Sequence, residues 1–166
     1  KECLEKASKL GMIEANNALG EIYYFGLGVE QNYSIAKYFY EKSISDCKSK
    51  NRIGEIYLNG FGVDICPLTA FQYFKLGIRD KQSKYNLGLM YYHGIYVNQS
   101  FENAIHYFTL SANENYELSQ KYLGDIYFNG YGVEQNIAMS KYYYELSAEQ
   151  GNLEAKSKLN NFDPCI

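Results

Sequence analysis

The chain has 166 residues, of which 46% are hydrophobic and 21% charged, and its formal net charge is −3. Such a balance builds a folded core and excludes a disordered chain. A charge this small excludes the basic footprint of a nucleic-acid or anionic-membrane binder, and no apolar run approaches the roughly 20 residues that cross a bilayer.

The opening KECLEKASKLG reads as the tail of a helix, so more chain is expected before Lys1; it has none of the charged-then-apolar pattern of a signal segment. A helix then carries Leu19, Ile22 and Tyr23 at helical spacing and stops at the turn Gly26-Leu27-Gly28. A second helix starts near Asn32 and runs an apolar face through Ala36, Phe39 and Tyr40. The pair then returns as GEIYLNGFGV (54–63), GLMYYHGIYV (88–97) and GDIYFNGYGV (124–133). Gly20, Gly54, Gly88 and Gly124 thus set a period of 34, 34 and 36 residues, the range of helical solenoids.

Val29, Val63, Val97 and Val133 keep the register in each copy, as do the small residues Ala36, Ala70, Ala104 and Ser140. The later second helices start near Cys66, Ser100 and Asn136; Pro67 takes the first helical position, where its missing N–H costs nothing. Tyr96 replaces the second turn glycine of the third copy, and strain is expected there, because a left-handed backbone suits glycine. A glycine inside a helix costs roughly 0.5–1 kcal/mol relative to alanine, so four such glycines imply close helix approach opposite the small residues of the second helices.

The glycine-rich turns are not phosphate cradles. A helix precedes them, bulky Leu27, Phe61 and Tyr131 stand between their glycines, and nothing basic follows. The cysteines Cys3, Cys47, Cys66 and Cys165 form no CxxC pair, which argues for free thiols, against zinc and for a cytoplasmic setting, secretion staying open because the start of the protein is not in view. Asn32 and Asn98 match the glycosylation pattern and read as loop residues. Most of the 19 tyrosines recur at core positions, among them Tyr23, Tyr57, Tyr91 and Tyr127 and, in the second helices, Tyr40, Tyr73, Tyr107, Tyr143 and Tyr144. No cofactor site is expected. Catalysis would have to come from Glu21 with Glu55, or from His93 or His106, and none has a partner in sequence that makes a reacting constellation.

The pattern L-G-x-[IL]-Y-x-x-G-x-G-V, six residues, then A-x-x-[YF]-[YF]-x-x-[SA], resembles the Sel1-like repeat, a relative of the tetratricopeptide repeat. The resemblance covers nearly the whole chain: the end of one repeat at 1–13, full repeats at 14–47, 48–81, 82–115 and 116–151, and a capping helix and tail at 152–166. Departures are Tyr96, Ile53 for the usual Leu, and Asn160 for the glycine of the last helix. The resemblance implies an all-α, right-handed α-solenoid of antiparallel helix pairs that acts as a non-enzymatic scaffold or adaptor.

By the same resemblance, the first helices line a concave groove, and the outward positions follow from each mid-helix glycine. Three residues before it stand Asn17, Asn51, Tyr85 and Lys121; one after it, Glu21, Glu55, Leu89 and Asp125. Four after it stand Tyr24, Leu58, Tyr92 and Phe128; five after it, Phe25, Asn59, His93 and Asn129. An aromatic row beside a mostly acidic one suits a protein or peptide with apolar anchors and basic residues; the competing reading is a solvated acidic face with aromatics packed on the next repeat. Neither nucleic acid nor direct membrane insertion is expected. Alternative roles are an immunity or inhibitor protein that wraps a toxin or enzyme and, less favoured, an enzyme using the groove carboxylates.

Overall fold

In a computed structural model, residues 2–160 and 162 are described. Ten helices follow one another: α1 (Glu2–Lys9), α2 (Ile13–Phe25), α3 (Tyr33–Lys42), α4 (Cys47–Asn59), α5 (Pro67–Leu76), α6 (Lys81–His93), α7 (Phe101–Ala112), α8 (Glu117–Asn129), α9 (Ile137–Glu149) and α10 (Leu153–Leu159). No strand occurs among the described residues, and none of these helices is long and apolar enough to cross a membrane. The chain divides into two compact units, Lys1–Ser83 and Lys84–Ile166.

Local chemistry sets the helix ends where the sequence put them. The side chains of Asn32, Ser100 and Asn136 accept hydrogen bonds from the N–H groups of Ile35, Asn103 and Met139, capping α3, α7 and α9. α5 opens on Pro67 after Cys66, whose Sγ lies 3.0 Å from Thr69 Oγ1. Gly26, Gly60 and Gly130 close α2, α4 and α8 in the left-handed conformation. Tyr96 adopts the same conformation as Gly28, Gly62 and Gly132, with φ of 66° against 68° to 70°. The third turn keeps its shape, and a tyrosine carries the strain.

In the N-terminal unit, α2 packs on α3 and α4 on α5, and α1 packs on α2. The rings of Tyr40 and Phe74 lie against Gly20 and Gly54, so that a Cβ at Gly54 would stand 2.5 Å from the Phe74 ring. The close approach read from the glycines is therefore ring on backbone, with Ala36 and Ala70 wholly buried beside it. Tyr23 stacks on Phe39 at 5.9 Å, and Tyr57 on Tyr73 at 6.1 Å. The core groups Tyr24, Ala36, Tyr40, Ile53 and Ile56.

The C-terminal unit repeats both devices. Phe108 and Tyr144 cover Gly88 and Gly124, while Tyr91 stacks on Tyr107 at 5.6 Å and Tyr127 on Tyr143 at 5.8 Å. Ser140, at the small-residue position, is buried and donates to the Gly124 carbonyl at 2.9 Å. Cys3, Cys47 and Cys66 are free thiols; Cys165 lies outside the described residues, as does most of the expected tail beyond α10.

Candidate partner-binding face

Of the four rows expected to face a partner, three spend much of their surface inside the repeat stack. The row before the glycines reaches the start of the next first helix. Asn17 donates to Asp46, which caps α4, and Asn51 is wholly buried, accepting from Ser83 Oγ at 3.4 Å and donating to Glu55 at 3.0 Å. In the C-terminal unit Tyr85 meets Tyr116 edge to face at 5.2 Å, and Lys121 pairs with Glu154 at 3.0 Å. Asn51 is thus not a surface residue; a side chain at this level bridges repeats instead of meeting solvent.

The acidic row is neutralised internally. Arg52 on α4 binds Glu21 through Nε at 2.9 Å and Glu55 through Nη1 at 2.9 Å, and Tyr40 donates to Glu21 at 2.9 Å. Burial opposes the Arg52 charge, but the two carboxylates outweigh it and hold the guanidinium above its usual range. In the C-terminal unit Asp125 accepts from Lys158 and Tyr144, both at 2.6 Å, and pairs with Lys121 at 3.1 Å. Burial pushes the Asp125 carboxyl up, yet these partners together leave it below its usual value. Leu89 packs on the core of its unit. The expectation of a basic partner rested on open carboxylates, and these carry their own counter-charges.

Sequence reading missed Arg52 and Lys158, which occupy one repeat position: two before the glycine, or before Asn160 in α10. A signal for them was present. Tyr40 and Tyr144 stand where the other repeats have Phe74 and Phe108, and each tyrosine accompanies an acid, Glu21 or Asp125, with a base one repeat on.

The aromatic row is packed as well. Tyr24 is 9% exposed, lies edge-on to Tyr33 and Phe61, and donates to Glu55 at 3.3 Å. Tyr92 contacts Phe101, Tyr122 and Tyr131, and Phe128, though 41% exposed, meets Phe162. Leu58 is half-buried. The last row remains open: Phe25 is 50% exposed and Asn59, His93 and Asn129 are exposed, the two asparagines folded back onto the carbonyls of Glu55 and Asp125.

A concavity of about 590 Å³ sits in the N-terminal unit. Glu14, Asn17, Ala18 and Glu21 of α2 form one wall, Lys48 and Arg52 of α4 another, and Asp80, Lys81 and Gln82 close it. Only Asn17 and Glu21 come from the expected set. No group of acidic, histidine or cysteine side chains among the described residues could hold a metal ion.

The chain is similar in fold to a Sel1 repeat protein from Oxalobacter formigenes, with a TM-score of 0.88 and 24% identity over 95% of this chain and 66% of that one. It is also similar to a protective antigen of uropathogenic Escherichia coli with an SLR fold, with a TM-score of 0.81 and 27% identity over 96% of this chain and 35% of that one. An immunity protein from Pseudomonas aeruginosa matches with a TM-score of 0.64 and 24% identity over 93% of this chain and 58% of that one. The chain spans less than two thirds of each of these proteins. No curated protein sequence matches it. A sequence model of the Sel1 repeat matches residues 13–46, 48–80, 81–116 and 118–152, and the chain belongs to the Sel1 repeat family.

Proposed function

We propose that this chain is a non-enzymatic scaffold that holds a protein or peptide partner on the face formed by its first helices. Sel1 repeats mediate protein–protein interaction. The observation that carries the reading here is the contrast between rows. The first three rows are largely used up in holding repeats together, while the outermost one leaves Phe25 half-exposed and the rim of the row before it leaves Phe128 exposed. Exposed aromatics of that kind anchor partners. The partner is expected to supply apolar anchors; basic residues add little where Glu21, Glu55 and Asp125 already have Arg52, Lys121 and Lys158.

Capture of partners from the native source, compared between the wild type and a Phe25→Asp, His93→Asp, Phe128→Asp variant, tests this. Loss of a defined partner with the helical circular-dichroism signal intact supports the face. Unchanged capture removes it.

A second reading, occlusion of a toxin or enzyme, is supported by the fold shared with the Pseudomonas aeruginosa immunity protein. Protection of cells by this chain against a toxin encoded beside it would favour that reading.

A further inference from the structure

We propose that this chain associates with a second copy of itself through its second helices, the outward face of α5 in one copy docking on the outward face of α9 in the other. The proposal goes beyond the scaffold reading and uses none of the first-helix face.

Each of these helices buries one side and shows the other. α5 turns Ala70 and Phe74 inward and leaves Leu68, Gln72 and Lys75 exposed at i, i+4, i+7 spacing, with Leu76 61% exposed beside them and Arg79 exposed just past the helix end. α9 turns Ser140, Tyr144 and Ser147 inward and leaves Tyr142, Glu145 and Glu149 exposed, the Tyr142 ring at 51%.

Charge sets these two faces apart from the others. At positions 21 and 25 residues after the mid-helix glycine, the second repeat carries Lys75 and Arg79, and the fourth carries Glu145 and Glu149. The first and third repeats hold no open charge there: Glu41 pairs with Lys37 at 3.1 Å, and Ser45, Thr109 and Asn113 are uncharged. Lys75, Arg79, Glu145 and Glu149 form no ion pair among the described residues. Asp80, next to Arg79, is turned to the start of α6, where it accepts from the Ser83 N–H at 3.0 Å, and Lys141, one turn before Glu145, is half-buried. The bias extends beyond these side chains, because the formal charge is +1 over the N-terminal unit and −4 over the C-terminal one, together the −3 of the chain.

A second copy is the partner that both faces fit. Because the two charged pairs occupy the same repeat positions, they have matching spacing, and antiparallel docking sets Lys75 by Glu149 and Arg79 by Glu145. Exposed ion pairs are individually weak and screened by salt. The four charges therefore select and orient the contact, while Leu76 and Tyr142 supply apolar area at its centre.

Sedimentation velocity of the full chain tests this with two charge-reversed variants. Lys75→Glu with Arg79→Glu makes both faces acidic; Glu145→Lys with Glu149→Lys makes both basic. The wild type is expected to self-associate at about 0.05 M salt and to weaken about tenfold or more at about 0.5 M. Each variant alone should lose about tenfold or more in self-association, and an equimolar mixture of the two should recover it, since every acidic face then has a basic one to meet. All four side chains are exposed, and an unchanged helical circular-dichroism signal checks that the variants fold. A wild type that stays monomeric at about 1 mM, association indifferent to salt or to the reversals, or a mixture that stays monomeric would overturn the proposal.

Discussion

A Cβ added at Gly124 would lie 2.6 Å from the ring of Tyr144, closer than two unbonded carbons come. The same relation joins Gly88 to Phe108. The glycine is therefore half of a contact whose other half is an aromatic ring on the following helix.

Gly124→Ala should destabilise the chain by about 1–2 kcal/mol. The helix gains about 1 kcal/mol from alanine, but displacing a buried ring in a packed core costs more. Thermal unfolding followed by circular dichroism measures the balance, and an unchanged or higher midpoint would show that the ring moves aside freely.

Asp125 and Asp80 should respond to pH with opposite sign. The Asp125 carboxyl is held below its usual range, so its stabilising effect is complete above the ordinary carboxylate range and is lost as pH falls through its folded value. Asp125→Asn should cost about 2 kcal/mol at neutral pH, because it leaves Lys158 and Lys121 without their buried partner, and should flatten the acid limb of a stability profile. The Asp80 carboxyl is pushed up by burial despite accepting from Ser83 N–H, so its contribution is greatest at low pH and declines as pH rises through its folded value. Asp80→Asn keeps a capping oxygen and should leave neutral-pH stability equal or slightly higher.

Tyr96 offers a direct reading of backbone strain. With φ at 66°, Tyr96→Gly should be more stable than Tyr96→Ala by about 1 kcal/mol. Both variants lose the ring, so the difference in urea midpoints isolates the backbone; equal midpoints would contradict the strain.

Tyr24 and Phe25 are neighbours in sequence with opposite tolerance. Tyr24→Asp buries a charge beside Glu55 and should cost about 3 kcal/mol or more. Phe25→Asp, on a half-exposed ring, should change stability by less than about 1 kcal/mol. Urea titrations of the two variants would show it, and similar losses would mean that Phe25 belongs to the core.

The architecture was legible because its signals are local or periodic. Caps at Asn32, Ser100 and Asn136, left-handed glycines at Gly26, Gly60 and Gly130, and a repeat near 34 residues each act within a few bonds or recur in register. The sequence by itself therefore determined the all-α class, the helix limits, the strained third turn and the membership of the repeat family. Tertiary structure alone decided which outward positions stay outward. Asn51, Tyr24 and the acids Glu21 and Asp125 turn toward partners roughly 30 residues away, Arg52 and Lys158 among them. An exposed row and a row that bridges repeats have the same helical spacing. Only the packing of one hairpin on the next shows which carboxylates are compensated.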